Sequence, residues 1–326
     1  MSEERNVIKS VNKVQIAGTF KESNLVYDPN AENSRNPKIK GAIVKKAFNH
    51  PSITIDVNGT TVEVDFMPTY EKKEDNGKLV DNPNFKALKR IVDGEFVSGE
   101  TRVFIDSGKI VDAGYVNKDF EFKDKVTVQS FGVKTSGVPE KDFAEVKLTG
   151  VVRSIKNESY RKGDETINTG RKIVDFYFVN DDFKSGGLVT IPINLVVADE
   201  DLVDAIDDFC SAGDNVFFQC DIVSRMIGGE EKTKKHAFGH KESQMIQGYR
   251  VQEYVIGAGD LVSEEASNYI DMDDMKKLMN DRRIMTEARI GQKKNAPKKT
   301  ADAPKKGLGS KASSMIEDVD DEDSPF

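Results

Sequence analysis

The chain has no tryptophan, two cysteines and three histidines in 326 residues. Two cysteines, Cys210 and Cys220, cannot supply the dense disulfide framework that staples small secreted domains. No positively charged, apolar leader opens the sequence, so a reducing cytoplasm is the expected compartment. No apolar run approaches the ~20 residues of a membrane span, and no membrane association is expected. Cys210, Cys220, His236 and His240 would suffice numerically for a four-ligand zinc site, and the two histidines are spaced x3. A CxxC knuckle is missing and Cys220 has the parity of a buried strand residue, so the expectation is no metal. The sequence also lacks a GxxxxGK[ST] phosphate loop, a GxSxG elbow and an HExxH pair. No catalytic residue and no cofactor is therefore expected, and the chain is not read as an enzyme.

What is present is alternation. ITIDVNGTTVEVDF (53–66) alternates apolar and polar residues around Asn58-Gly59, the strongest short-range hairpin signal. Similar stretches recur along the chain, among them KVQIAGTF, TRVFIDSGKI, AEVKLTGVV, RKIVDFYFV and NVFFQCDIV, which predicts a mostly β protein. The halves also repeat. KVQIAGTF (13–20) matches EVKLTGVV (145–152) with Gly18 over Gly150, an offset of 132. TRVFIDSGKI (101–110) lies over NVFFQCDIVS (215–224), and VQSF (128–131) over VQEY (251–254). A helix-like segment precedes the fourth strand of each half, NFKALKRIV and DEDLVDAIDDF. Strand, hairpin, helix, strand, strand, with a glycine bending the first strand, is the order of a five-stranded Greek-key oligonucleotide-binding barrel.

Two tandem units of this OB-fold type are therefore expected, at 1–138 and 139–262, followed by a C-terminal helix at 263–291 with Ile270, Met275, Leu278 and Met279 on one side. A basic linker, 292–316, has a Lys, Ala, Pro, Gly and Ser composition that cannot offset the entropy of ordering, so it and the acidic tip, 317–326, are expected to be a disordered tail. The offset between halves changes along the chain. Those changes locate a long connection after strand one of the first unit and another between strands four and five of the second, the two loops such barrels use to hold oligonucleotides.

Single-stranded DNA asks for cations that follow phosphates and aromatic faces on which bases stack, at ~1–3 kcal/mol each. The first connection offers Tyr27, Arg35, Lys38, Lys40, Lys45, Lys46 and Phe48. The second offers Arg225, Lys232, Lys234, Lys235, Phe238 and Lys241, and the stretch after its unit's first strand adds Arg153, Lys156, Tyr160, Arg161, Lys162, Arg171 and Lys172. Strand parity turns Val174, Phe176, Phe178, Phe218, Cys220 and Ile222 inward, and leaves Tyr177, Phe217, Phe104 and Arg102 as outward candidates.

The net charge of −8 opposes nucleic-acid binding until it is partitioned, since Glu317, Asp318, Asp320, Asp321, Glu322 and Asp323 supply most of it. The sequence then finishes Ser324-Pro325-Phe326. A solvating tail needs no hydrophobe. A phenyl ring gains by entering a partner's pocket whose basic rim meets the carboxylates, and Pro325 lowers the ordering cost.

This tip, an acidic run, one residue, then Pro-Phe, resembles that of bacterial single-stranded DNA-binding proteins, and the two-unit plan is similar to a replicative member of that class encoded by a bacteriophage. The resemblance implies that Asp320, Asp321, Glu322, Asp323, Pro325 and Phe326 dock replication, recombination and repair proteins. It also implies a body that coats single-stranded DNA, with self-association on DNA possible. Two barrels in place of one per subunit, and the lack of tryptophan, depart from the bacterial pattern and leave stacking to Phe and Tyr. A strand-annealing or recombination-mediator protein and a β-rich virion structural protein are the competing expectations.

Overall fold

The computed structural model describes residues 10–46, 51–162, 165–181, 188–227, 231–234, 242–245 and 249–295. Its frame is ten strands and two helices in two consecutive sets. The first set is β1 (Asn12–Ser23), β2 (Ser52–Val57), β3 (Thr60–Phe66), α1 (Pro83–Val92), β4 (Arg102–Asp112) and β5 (Val126–Ser130). The second is β6 (Phe143–Lys162), β7 (Glu165–Asp181), β8 (Leu188–Val197), α2 (Glu200–Phe209), β9 (Asn215–Ile227) and β10 (Tyr249–Leu261).

Each set closes on itself. In the first, β1 pairs with β2, β2 with β3, β3 in parallel with β5, β5 with β4, and β4 with β1. The second repeats that ring as β6, β7, β8, β10, β9 and back to β6, again with one parallel contact, Leu195↔Tyr254 between β8 and β10. These are two five-stranded Greek-key barrels, as the repeat predicts.

Local chemistry explains the elements. Val57 pairs with Thr60 across Asn58 (φ 53°) and Gly59 (φ 81°), two successive left-handed residues that match the twist of the flanking strands. Helix α1 starts at Pro83 behind Asn82, whose side chain accepts from the Asn84 amide, and buries Phe85, Leu88 and Ile91. Helix α2 is capped by Asp199 and carries Glu200 and Asp201 at its electropositive end. Inward parity places Val174, Phe176, Phe178, Phe218 and Cys220 in the core, with Phe176 and Phe218 edge-on at 5.4 Å.

The repeated glycines do one job twice. Each first strand passes from one neighbour to another along its length, and the glycine sits at the handover: Gly18 opposes Val103 just before Thr19 reaches Asp56, and Gly150 opposes both Val216 and Phe178. A Cβ at Gly18 would lie 2.3 Å from the Asp56 carbonyl oxygen, and one at Gly150 would lie 2.1 Å from that of Tyr177. No side chain fits either place.

The barrels join edge to edge. The first half of β1 has one edge on β4, and its other edge pairs antiparallel with β6, from Asn12↔Leu148 to Ala17↔Phe143. An edge that would otherwise template aggregation is thereby covered by the same edge of its repeat. Val14 stands opposite Val146, and these two are themselves repeat equivalents, 132 positions apart like Gly18 and Gly150. Where Gln15 faces Glu145, their equivalents Lys147 and Lys13 face each other in turn. Such a register is that of a local two-fold axis through the Val14–Val146 pair, an isologous contact fused into one chain.

A third helix, α3 (Met272–Asn295), begins later than the expected 263 and takes up residues 292–295 of the expected linker. Ile270 and Met275 are buried with Val151 and Val179 on the outer side of the second barrel, and Leu278 and Met279 pack around them. The Asn215 side chain holds the approach to α3 by bonding the Ile270 carbonyl at 3.0 Å and amide at 2.8 Å. Further along, α3 reaches the first barrel, so it spans the joint.

Candidate nucleic-acid interface

In the first barrel the long connection after β1 folds into a small sheet, Leu25–Glu32 against Lys40–Lys45 against Thr69–Tyr70, with α1 beneath it. Tyr27 projects from it, 36% exposed, with its ring edge-on to Phe85 at 5.8 Å and Lys89 Nζ 5.5 Å from its centre. Lys38, Lys40, Lys45 and Lys46 are exposed along the same excursion. Lys40 is bonded to Glu32 at 2.8 Å, which raises its pKa above the ordinary lysine value through that hydrogen bond and the carboxylate's charge. Phe48 lies outside the described residues.

In the second barrel the corresponding connection is an arm, because β6 and β7 continue as a ladder out to Lys162↔Glu165. Tyr160 stands on it, 53% exposed. Arg161 and Lys162 follow in the same strand, their side chains outside the described residues. Nearer the barrel, Arg153 lies 5.8 Å from the Tyr177 ring and donates to its hydroxyl at 3.2 Å, while Lys156 reaches Asp175 at 3.2 Å. Helix α3 packs against Tyr177, so this ring is partly covered where parity alone leaves it open.

Several cations that the sequence offers to DNA are engaged within the chain. Arg171 contacts Glu253 at 2.7 Å and Glu158 at 3.5 Å; Arg225 contacts Glu158 at 3.1 Å and Glu253 at 2.9 Å. With Arg171 15% and Glu253 9% exposed, this four-residue cluster ties β6, β7, β9 and β10 together. Lys172 is bonded to Asp207 of α2 at 2.6 Å. In the first barrel Arg102 holds the connector between barrels, bonding Asp142 at 2.6 Å and the Pro139 carbonyl at 2.8 Å. Phe104 pairs its backbone with Lys134 and sets its ring 6.3 Å from Phe143. Residues 131–142 return across the outer side of β4, a long-range event that strand parity does not encode. Phe217 is half-buried on β9. Lys234 lies in the short strand Glu231–Lys234, its side chain outside the described residues. Lys235, Phe238, Asp320, Asp321, Glu322, Asp323, Pro325 and Phe326 are outside them altogether.

Sequence reasoning missed Lys89, although NFKALKRIV as a helix puts it one turn after Phe85 on the same side, where it borders the buried face. It also missed the basic residues of α3, where Arg282 and Arg289 lie 5.8 and 5.6 Å from the Phe122 ring and Lys294 lies 5.8 Å from Phe120. Cys210 and Cys220 are buried, and burial pushes the Cys210 thiol up to about 11 and the Cys220 thiol higher still. His236 and His240 are outside the described residues. Among the described residues no helix is long and apolar enough to cross a membrane.

A family model described as YorF matches residues 10–293. No curated protein matches. Among solved structures, a deletion mutant of the single-stranded DNA binding protein from Thermus aquaticus is similar, with a TM-score of 0.42 and 11% identity over 80% of this chain and 98% of that one. The wild-type Thermus aquaticus protein gives 0.41 and 10%, over 79% and 95%. A Plasmodium falciparum SSB complex with ssDNA gives 0.22 and 20%, over 38% and 96%. The barrel topology described above stands on the strand pairing, independently of these likenesses.

Proposed function

The chain belongs to the YorF family over residues 10–293, and from the geometry of its two barrels we propose that it binds single-stranded DNA with little sequence preference. The observation that carries this reading is the arm: a tyrosine 53% exposed, on the connection between the first two strands of a closed Greek-key barrel, with Arg153 and Lys156 on the same strand. Barrels of this kind hold oligonucleotides on that connection, and an exposed ring with cations further back along the same strand supplies stacking and phosphate contact at successive positions. In the first barrel Tyr27 with Lys89, and the exposed Lys38, Lys45 and Lys46, make the second contact region.

Fluorescence polarisation with labelled oligo(dT) tests the proposal. Affinity is expected to fall steeply as salt rises. Tyr160→Ala is expected to weaken binding about ten-fold or more, from the ~1–3 kcal/mol of a stacked base, while Tyr160→Phe retains it. No binding in dilute buffer, or equal binding by all three proteins, removes the reading.

The finer role follows from the tail. The protein coats template strands, blocks reannealing and nuclease attack, and brings replication, recombination and repair proteins to them through residues 317–326, in the cytoplasm of a bacterial host. The acidic segment also competes with DNA for the body's lysines. Deleting residues 317–326 is expected to raise oligo(dT) affinity several-fold at low salt, with the gain vanishing at high salt, and to abolish partner capture. Unchanged affinity at low salt removes the competition.

A further inference from the structure

Resting on the DNA-binding reading, we propose that the two barrels hold DNA in opposite polarities. The ligand that fits both at once is then a strand that doubles back, or two antiparallel segments, rather than one strand running straight through. The register of the joint carries this. Val14 pairs with its own repeat equivalent, Val146, and the rungs on either side exchange equivalents, which is the signature of a two-fold axis normal to the shared β1–β6 sheet. Both valines are fully buried, so the two barrels turn the same side of that sheet inward.

Half a turn about such an axis reverses every direction in the plane of the sheet. A path that crosses the first barrel 5′ to 3′ in one sense therefore crosses the equivalent surface of the second in the other sense. Single-stranded DNA has a direction, and side chains placed for its sugars and phosphates on one barrel meet it backwards on the other.

The reversal is built in, because the joint has several independent ties. Arg282 of α3 donates to the Thr190 carbonyl of the second barrel at 3.2 Å and to Asp124 and Asp112 of the first at 2.7 and 3.3 Å. Lys293 bonds the Val116 carbonyl, and the connector is held by Arg102 and by the Phe104–Lys134 bridge. One barrel cannot rotate to realign with the other without breaking these.

Oligothymidylates with an inverted linkage provide the test. Uniform, 3′–3′-linked and 5′–5′-linked oligomers of equal length, stepped from roughly 8 to 32 nucleotides to cover two barrels, are titrated against the full chain. At the shortest length that engages both barrels, one inverted oligomer is expected to bind about ten-fold or more tightly than the uniform one, because only it satisfies both sites without slack. The gap closes as the uniform strand becomes long enough to turn, and it disappears in Tyr160→Ala, which disables one barrel's contact. A uniform oligomer that binds at least as well as both inverted ones at every length overturns the inference while leaving DNA binding intact. Failure of all three to bind sinks both together.

Discussion

Gly150→Ala unfolds the second barrel at denaturant concentrations the native chain tolerates. The added methyl would sit 2.1 Å from the Tyr177 carbonyl oxygen and 2.8 Å from its carbon, and both atoms are backbone. Neither can retreat, since Tyr177 is fixed between Val151 on β6 and Pro192 on β8. Relief requires parting the strands at the handover, at a cost of at least about 3 kcal/mol, the upper part of the overpacking range. Gly18→Ala should act likewise on the first barrel, against the Asp56 carbonyl at 2.3 Å. Gly257→Ala on β10 is the control, because its nearest neighbour, the Gln219 carbonyl oxygen, would be 3.9 Å away, and it should stay within about 0.5 kcal/mol of the native chain. Urea unfolding of the three variants checks this. A Gly150→Ala midpoint equal to that of Gly257→Ala would show that the strands do not approach so closely.

Arg282→Ala should loosen the joint. The guanidinium is 14% exposed and serves two carboxylates and a carbonyl from two barrels, so its removal leaves Asp112, itself 18% exposed, with the Gly114 amide at 3.0 Å and the longer cationic contact from Arg289 at 3.4 Å. Asp124 is 57% exposed and contributes less, being solvated. A loss of about 2 kcal/mol is expected, and one cooperative unfolding transition should split into two as the barrels decouple. Arg282→Lys keeps the charge but loses the fork and should fall between. Calorimetry reads the transitions. A single transition at the native midpoint would mean that the β1–β6 pairing alone couples the barrels.

The two variants probe links of different visibility in the sequence. The glycines were legible because a repeat brought them into register and because a glycine inside a strand signals close backbone approach. The hairpin at Asn58-Gly59 was legible for a similar reason, since its turn type follows from two adjacent residues. Arg282 was invisible as a joint. Its partners lie 170 and 158 positions away on a different barrel, and nothing in the helical spacing of 272–295 points to them.

The candidate interface divides the same way. Parity marks Tyr177 and Phe104 as outward-facing, yet outward from a strand is not outward from the molecule: α3 packs on the first and Phe143, at the start of β6, on the second. Clustering in sequence found the cations of the second barrel, but Arg171 and Arg225 meet Glu158 and Glu253 across neighbouring strands. An ion pair across a sheet depends on register between distant segments, which composition cannot supply. The chain neighbours of Tyr160 mark it as a candidate, and its exposure follows from the length of the β6–β7 ladder.

The sequence by itself determined the mostly β class, the repeated order of elements, the bending glycines, the inward residues of each strand and the acidic Pro-Phe tip. All of these are local, or are copied from one half to the other, and periodicity with a period of two is enough to read them. Tertiary structure alone decided how the barrels meet, which cations are already neutralised and where α3 lies. Those depend on which edges and charges come together after the chain has turned back on itself, and many pairings satisfy the same alternation equally well.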